Sequence, residues 1–195
     1  MTTRSINTHD KHRSDYTGNG WVVADIERPI TMTNPGVLSD NQIQEWASAG
    51  GVAPFDARLI NPASIDLRWS GKSRCAYYCG WSEIEDRDEL VMVPGVLYLL
   101  DTVETVSMPV DACGLLSLKS SIGRMGLEHL HAGWFDPGFH GTATLEVKNM
   151  APWTITLKRG QPIVQLALLS MSQEPRLSYK ATGRYNGQKG PTPAR

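Results

Sequence analysis

Short apolar runs, some strictly alternating with polar residues, make up most of this chain after residue 60, and glycine or proline separates one run from the next. Runs of this length predict β-strands, because successive side chains of a strand lie on opposite faces. Only one segment, near residue 40, has the apolar period of a helix. The predicted strands are residues 64–69, 97–100, 105–108, 112–118, 142–149, 154–157 and 163–170.

The helical segment begins at Ser39, which is predicted to cap it, with Gln42 completing a capping box. Leu38 and Ile43 are spaced as a hydrophobic staple, and Gly50 is predicted to end the helix. Its apolar face indicates a role in packing. One helix followed by many short strands predicts a mainly β fold, an antiparallel sandwich or barrel.

Two predicted strands carry more specific information. Residues 163–169 are apolar on both faces, which predicts a central, buried strand. Residues 142–149 alternate, which places Glu146 on the polar face of its strand. The Asp-Pro-Gly sequence at residues 136–138 has the composition of a turn that precedes this strand.

Composition and charge bound the class of protein. The chain has 195 residues, of which 41% are apolar and 20% charged, as expected for one globular domain. The formal net charge of −1 gives no overall attraction to nucleic acid or to anionic membranes, so neither is expected as a partner. Three cysteines without a disulfide framework, and no apolar run of membrane-spanning length, favour a cytoplasmic location. The cysteines are Cys75, Cys79 and Cys113.

The chain divides into three regions. Residues 1–36 are poor in large apolar groups and predict a partly disordered arm, although residues 21–26 have the pattern of a strand. Residues 37–171 form the predicted β domain. Residues 172–195 are rich in glycine, proline and basic residues, which is typical either of a frayed terminus or of a flexible lid.

One stretch, residues 119–146, holds most of the chemically reactive side chains. Each of them alone is typical of a solvated loop or of the polar face of a strand. The groups concerned are Lys119, Ser120, Ser121, Arg124, His129, His131, Asp136 and Glu146. Their density marks this stretch as a candidate site.

Four motifs, in order along the chain, resemble those of the dCTP deaminase family, whose members are related to the trimeric dUTPases. The motifs are NPASIDLR at 61–68, KSSIGRMG at 119–126, alanine 132 with FDPGF at 135–139 and LE at 145–146, and YNGQKGPTPAR at 185–195. The resemblance covers the chain from residue 38 to its end. It implies the distorted jelly-roll of dUTPase-like proteins.

By this resemblance, Glu146 is the general base and later the general acid of a zinc-independent, hydrolytic deamination of dCTP. Ser120 and the backbone carbonyl of Ala132 hold the attacking water, and Arg124 supplies positive charge near Glu146. Asp136 accepts the deoxyribose 3′-hydroxyl. The implied product is dUTP, or dUMP and diphosphate if the enzyme is bifunctional.

The resemblance also implies how the rest of the nucleotide is held. Lys119 and Ser121 meet the phosphates, and Mg²⁺ binds through the phosphate oxygens rather than in a protein cage. Residues 172–195 are the lid over the triphosphate. Family members are homotrimers with sites between subunits, so some of these residues would act on a neighbour's substrate. The lid positions that match the family are Tyr179, Arg184 and Gln188.

Two positions depart from the family's most common pattern. Trp134 stands where single-activity deaminases have arginine, and the pair Gly133 and Trp134 is similar to the glycine and aromatic pair of the bifunctional enzymes, which favours dUMP as the product. His131 replaces the family's threonine immediately before Ala132. Because this position lies next to the pyrimidine pocket in the family, the base specificity is open here.

Two other functions also remain open from the sequence. A plain dUTP pyrophosphatase attacks a phosphate and has no need of a glutamate at position 146. A nucleotide-sensing jelly-roll protein without catalysis would share the fold alone. A zinc-dependent deaminase is not predicted, because the H-x-E and P-C-x-x-C motifs are absent and the pairs Cys75/Cys79 and His129/His131 lack further ligands.

Overall fold

The computed structural model describes residues 36–130 and 132–194. The predicted arm up to residue 35, the predicted strand at 21–26 and His131 lie outside the described residues. The helices are α1 (Asp40–Trp46), α2 (Ser120–Gly123) and α3 (Tyr179–Thr182), with a π-helical turn at Ala47–Gly51 and a 3-10 turn at Ala57–Leu59. The strands are β1 (Val52–Ala53), β2 (Ile60–Asn61), β3 (Ser64–Tyr77), β4 (Gly80–Trp81), β5 (Glu85–Asp86), β6 (Glu89–Met92), β7 (Leu97–Ser107), β8 (Ala112–Leu118), β9 (Leu127–His129), β10 (Trp134–Phe135), β11 (His140–Asn149), β12 (Ile155–Lys158) and β13 (Pro162–Ser170). Of the helices in these residues, none is long and apolar enough to cross a membrane.

Most of the strands form one antiparallel sheet with the order β10-β8-β13-β3-β7-β11-β9, and β12 pairs separately with β6. Strand β13 lies between β8 and β3, so the prediction that the apolar run at 163–169 is a central strand is confirmed. The prediction of a mainly β, antiparallel fold with one helix on its N-terminal side is confirmed as well.

Helix α1 covers part of the core. The Ser39 N–H donates to Gln42 Oε1 at 3.0 Å, so the predicted capping box is present, and both residues of the predicted staple are fully buried. The α-helix ends at Trp46, before the predicted end at Gly50. The chain continues instead as the π-helical turn, in which Gly50 has a φ of +105°, a value that favours glycine.

A single long strand, β7, replaces the two strands predicted at 97–100 and 105–108. Three of the four residues between them are polar but buried, namely Asp101, Thr102 and Glu104. They interrupt the apolar pattern without interrupting the strand. The prediction of two strands was therefore wrong, because buried polar residues with partners inside the fold look like a loop in the sequence.

Glu104 is fully buried on β7 and is held by Arg68 of β3. The Arg68 side-chain Nε donates to Glu104 Oε1 at 2.6 Å, and the Arg68 backbone N–H donates to Oε2 at 2.8 Å. Removing one partner of a buried ion pair is costly, since the other partner keeps its desolvation penalty. This pair therefore stabilises the contact between β3 and β7, the two long strands that neighbour each other in the sheet.

We expect Glu104→Gln to lower the free energy of unfolding by about 2 kcal/mol and the Tm by roughly 4–8 °C, since a charged hydrogen-bonded pair is lost. Thermal unfolding followed by circular dichroism measures the effect. Asp88→Asn is the control, because Asp88 also binds an arginine, Arg159, but its side chain is 93% exposed. Equal Tm values for the two variants would contradict the structural role of Glu104.

Candidate functional site

Glu146 lies on β11 and lines a cavity of about 300 Å³. Strand β11 alternates in burial along its whole length, with Ala143, Leu145 and Val147 in the core, so the predicted orientation of Glu146 toward the polar face is confirmed. The same cavity is lined by six residues that the sequence analysis had selected: Ala132, Trp134, Asp136, Glu146, Tyr179 and Gln188. The fold thus brings together residues from β10, β11, α3 and the C-terminal segment.

The Glu146 carboxylate is in a partly dry environment. Its side chain is 30% exposed, and its Oε2 atom is buried with no hydrogen-bond partner among residues 36–130 and 132–194. Burial raises the pKa of Glu146 above the ordinary glutamate value, because desolvation penalises the charged form. A raised pKa makes this carboxylate a stronger base than an exposed glutamate, which suits a group that takes a proton from water and later delivers it.

His129 is the nearest ionisable neighbour of Glu146. It lies on β9, which pairs with β11, and its side chain is only 4% exposed. Its Nε2 atom is 3.9 Å from Glu146 Oε2. The sequence analysis gave His129 no place beside the glutamate, because the pairing of β9 with β11 has no signal in the sequence. In the described part of the chain, no three His, Cys, Asp or Glu side chains are arranged to share a metal ion.

The serine motif forms a separate cavity of about 260 Å³. Lys119 caps the single-turn helix α2, and the Lys119 and Ser120 side chains line this cavity together with His129. Ser121 and Arg124 are exposed and line neither this cavity nor that of Glu146, and Arg184 of the C-terminal segment likewise lines neither. Within one chain, Ser120 and Glu146 therefore belong to two separate cavities, with Leu116 lining both.

Lys119 is held in place by two residues of the NPASIDLR motif at 61–68. Its Nζ donates to Asp66 Oδ2, and Asn61 Nδ2 donates to the other oxygen, Asp66 Oδ1, at 2.8 Å. Asp66 is buried, so its charge is neutralised by the lysine it positions. The sequence analysis quoted this motif without a role for it. Its spacing gave no indication that Asp66 would contact Lys119, 53 residues later.

The predicted turn before β11 is present. The Phe139 N–H donates to the Asp136 carbonyl at 3.1 Å, and Gly138 has a φ of +83°. The turn places Asp136 on the rim of the Glu146 cavity, where its exposed carboxylate is available to a ligand.

The C-terminal segment, residues 172–194, lies beside β11 on its own chain. Its part from 186 to 192, here called the strap, is bound mainly by the first residues of β11. The Thr142 N–H donates to the Gln188 carbonyl at 3.1 Å, and the Gln188 side chain donates to the Thr142 carbonyl at 2.8 Å. Gly141 allows this approach, because a Cβ there would lie 2.9 Å from the Gln188 oxygen. Opening and closing of this segment as a lid stays a prediction.

Comparison with known proteins gives a consistent result. Residues 37–171 match the family model described as dCTP deaminase-like. The chain is 38% identical to a protein named dCTP deaminase, dUMP-forming, from Corynebacterium glutamicum (strain R), over 82% of this chain and 95% of that protein. It is 39% identical to a protein of the same name from Rhodococcus erythropolis, with the same coverage of 82% and 95%.

Among solved structures, the chain is similar to the crystal structure of 2′-deoxycytidine 5′-triphosphate deaminase from Agrobacterium tumefaciens, with a TM-score of 0.61 and 22% identity. The match covers 70% of this chain and spans about half, 48%, of that longer chain. At this identity the structural match supports the fold alone, and it confirms the dUTPase-like architecture implied by the sequence motifs. From the family match over most of its length and the identity to full-length relatives, the chain belongs to the dCTP deaminase-like family.

Proposed function

We propose that this protein deaminates dCTP hydrolytically and converts the resulting dUTP to dUMP and diphosphate. The single observation that carries the proposal is a half-buried glutamate, Glu146, with a raised pKa in a cavity that also contains Ala132, Asp136 and Tyr179. The two curated relatives described above are named dCTP deaminase, dUMP-forming, which supports the second step.

The deamination needs a nucleophilic water and two proton transfers. Glu146 takes a proton from the water as its oxygen attacks C4 of cytosine, and delivers that proton to N3. The second proton of the water reaches the amino group, ammonia leaves, and a carbonyl remains at C4. The Ala132 carbonyl and the Ser120 hydroxyl hold the water, and Arg124 offsets negative charge near the reacting base.

The sugar and phosphates are held by the remaining predicted residues. Asp136 accepts the 3′-hydroxyl, and Trp134, which is 58% exposed on the cavity, lies beside the base. Lys119 and Ser121 meet the phosphates together with Arg184 and Gln188 of the C-terminal segment. Mg²⁺ would be held through the phosphate oxygens and would neutralise part of their charge, so it needs no protein cage; the cationic and hydroxyl side chains named here would contact the phosphates rather than the metal.

The active unit is a homotrimer with each site shared between two neighbouring subunits. This is supported by the separation of Ser120 from Glu146 within one chain, since the two groups must meet at one substrate. Apolar side chains exposed around a groove of about 840 Å³, among them Val91, Val93 and Leu130, offer a surface for a second copy. All three cysteines are free thiols, which supports a reducing, cytoplasmic location.

Glu146→Gln should abolish conversion of dCTP, with a loss of about a thousandfold or more, because general acid–base catalysis is removed. Purified protein is incubated with dCTP and Mg²⁺, with dUTP and dCMP as parallel substrates, and products are separated by anion exchange. Glu45→Gln, an exposed change on helix α1, is the control and should convert dCTP normally. If dCTP is converted to dUTP and no dUMP forms, the proposed cleavage of dUTP to dUMP and diphosphate is wrong. If the protein cleaves dUTP but does not deaminate dCTP, and Glu146→Gln leaves the cleavage unchanged, the protein is a plain dUTP pyrophosphatase and the proposal is wrong.

The pH dependence of both rate and stability should report the raised pKa of Glu146. As the pH falls through that pKa, which lies above about 4.5, kcat/KM should fall roughly tenfold per pH unit, because the base becomes protonated. The ionised carboxylate is disfavoured by burial, so Glu146→Gln should raise the Tm at pH 8 by roughly 1–3 °C. That gain should shrink as the pH falls and vanish at about pH 3, below the ordinary glutamate pKa of about 4.3, where the wild-type carboxyl is neutral in both folded and unfolded states. A higher wild-type Tm at pH 8 would contradict the burial effect.

Shared sites can be tested by mixing two inactive variants. Glu146→Gln and Ser120→Ala are co-expressed with different tags, and mixed oligomers are isolated by tandem purification. Every mixed trimer has one of its three sites built from the intact half of each variant, so we expect about a third of the wild-type activity. Mixed oligomers as inactive as either parent would show that each site is built within one chain.

A further inference from the structure

In addition to the bonds at Gln188, threonine side chains of strand β11 fasten the strap. Thr142 Oγ1 accepts from the Gly190 N–H at 3.2 Å, and Thr144 Oγ1 donates to the Gly190 carbonyl at 3.3 Å. Thr144 Oγ1 also accepts from the Thr192 N–H at 3.1 Å. One hydroxyl therefore closes two hydrogen bonds to the strap, as donor and as acceptor.

Thr144 is placed to control the site because of its position on β11. It lies two residues before Glu146, so the two side chains share the polar face of the strand, and both line the same cavity. Thr192 of the strap lines that cavity too. Fastening the strap at Thr144 therefore fixes one wall of the Glu146 cavity.

A second fastening comes from Arg74 on β3. Its Nε donates to the Pro191 carbonyl at 3.2 Å, and its Nη1 donates to the Ser82 carbonyl at 2.7 Å. Gly190 and Pro191 are both buried. Arg74 does not line the Glu146 cavity, and its side chain binds the strap at Pro191.

Most of these bonds involve uncharged groups, and the basic residues of the segment take no part in them. Lys189, within the strap, and Lys180, before it, are exposed. The bonds at Thr142, Thr144 and Arg74 thus hold the strap to its own chain.

We propose that Thr144 and Arg74 are positioning residues, which fasten the strap over the Glu146 cavity from β11 and from β3, the strands on either side of β7, and so set how tightly the nucleotide is bound. Nucleotide binding needs the strap in place. If a variant lowers the fraction of molecules in which the strap is fastened, its apparent affinity for nucleotide falls in proportion to that fraction. The catalytic part of this inference rests on the proposed function; the fastening itself does not.

The fastening is tested by hydrogen exchange and mass spectrometry on the full chain without nucleotide. Thr144→Val keeps the shape of the side chain and suits a strand but loses both bonds, so exchange at Gly190 and Thr192 should accelerate about tenfold. Thr144→Ser keeps the hydroxyl and should restore protection. Arg74→Gln should also accelerate exchange, whereas Thr156→Val, an exposed change on β12, should not. Circular dichroism and Tm confirm that each variant is folded.

The same variants are then compared in dCTP conversion. For Thr144→Val and Arg74→Gln we expect KM to rise about five- to tenfold with kcat within about twofold, since saturating substrate closes the strap again. Unchanged exchange in both variants would overturn the fastening. Faster exchange in Arg74→Gln with an unchanged KM would overturn the positioning role. If the wild-type chain does not turn over dCTP, the proposed function fails, while the exchange data still decide the fastening.

Discussion

Strand β11 has one face in the hydrophobic core and the other in the Glu146 cavity, and the position of the site depends on keeping both faces in place. One face carries Ala143, Leu145 and Val147 into the core, where hydrophobic burial fixes the register of the strand against β7. The other face carries Thr142, Thr144 and Glu146. A slip of one residue would exchange the two faces, so the same apolar contacts that stabilise the fold also hold Glu146 in its cavity.

Buried carboxylates recur in this protein, and their partners decide what each one does. Glu104 is matched on both oxygens by Arg68 and ties two strands together. Asp66 accepts hydrogen bonds from Asn61 and Lys119 and so positions the lysine side chain. Glu146 has an oxygen without a hydrogen-bond partner in the described part of the chain, and burial raises its pKa. Glu104 and Asp66 are each bound by a cationic side chain, whereas Glu146 faces a cavity.

The alternation along β11, the capping box of α1 and the central position of β13 could be predicted from the sequence, because each depends on neighbours within a few residues. The continuous strand β7 could not, since the buried Thr102 and Glu104 are bound by Ala143 and Arg68, which are distant in the sequence. The motif resemblance selected six of the residues that line the Glu146 cavity. It did not indicate that Asp66 holds Lys119, that His129 lies 3.9 Å from Glu146, or that Arg74 binds the strap, because each contact depends on strand pairing between remote segments. The alternation of Thr142 and Thr144 with Glu146 was the one local signal for the strap that the sequence did contain.

The course of the C-terminal segment has a practical consequence for handling this protein. Ala194 lines the same cavity as Glu146, so the C-terminal segment forms part of the wall of the site. Affinity handles, fluorescent labels and surface-immobilisation linkers placed within this segment would therefore compete with a ligand for the same space.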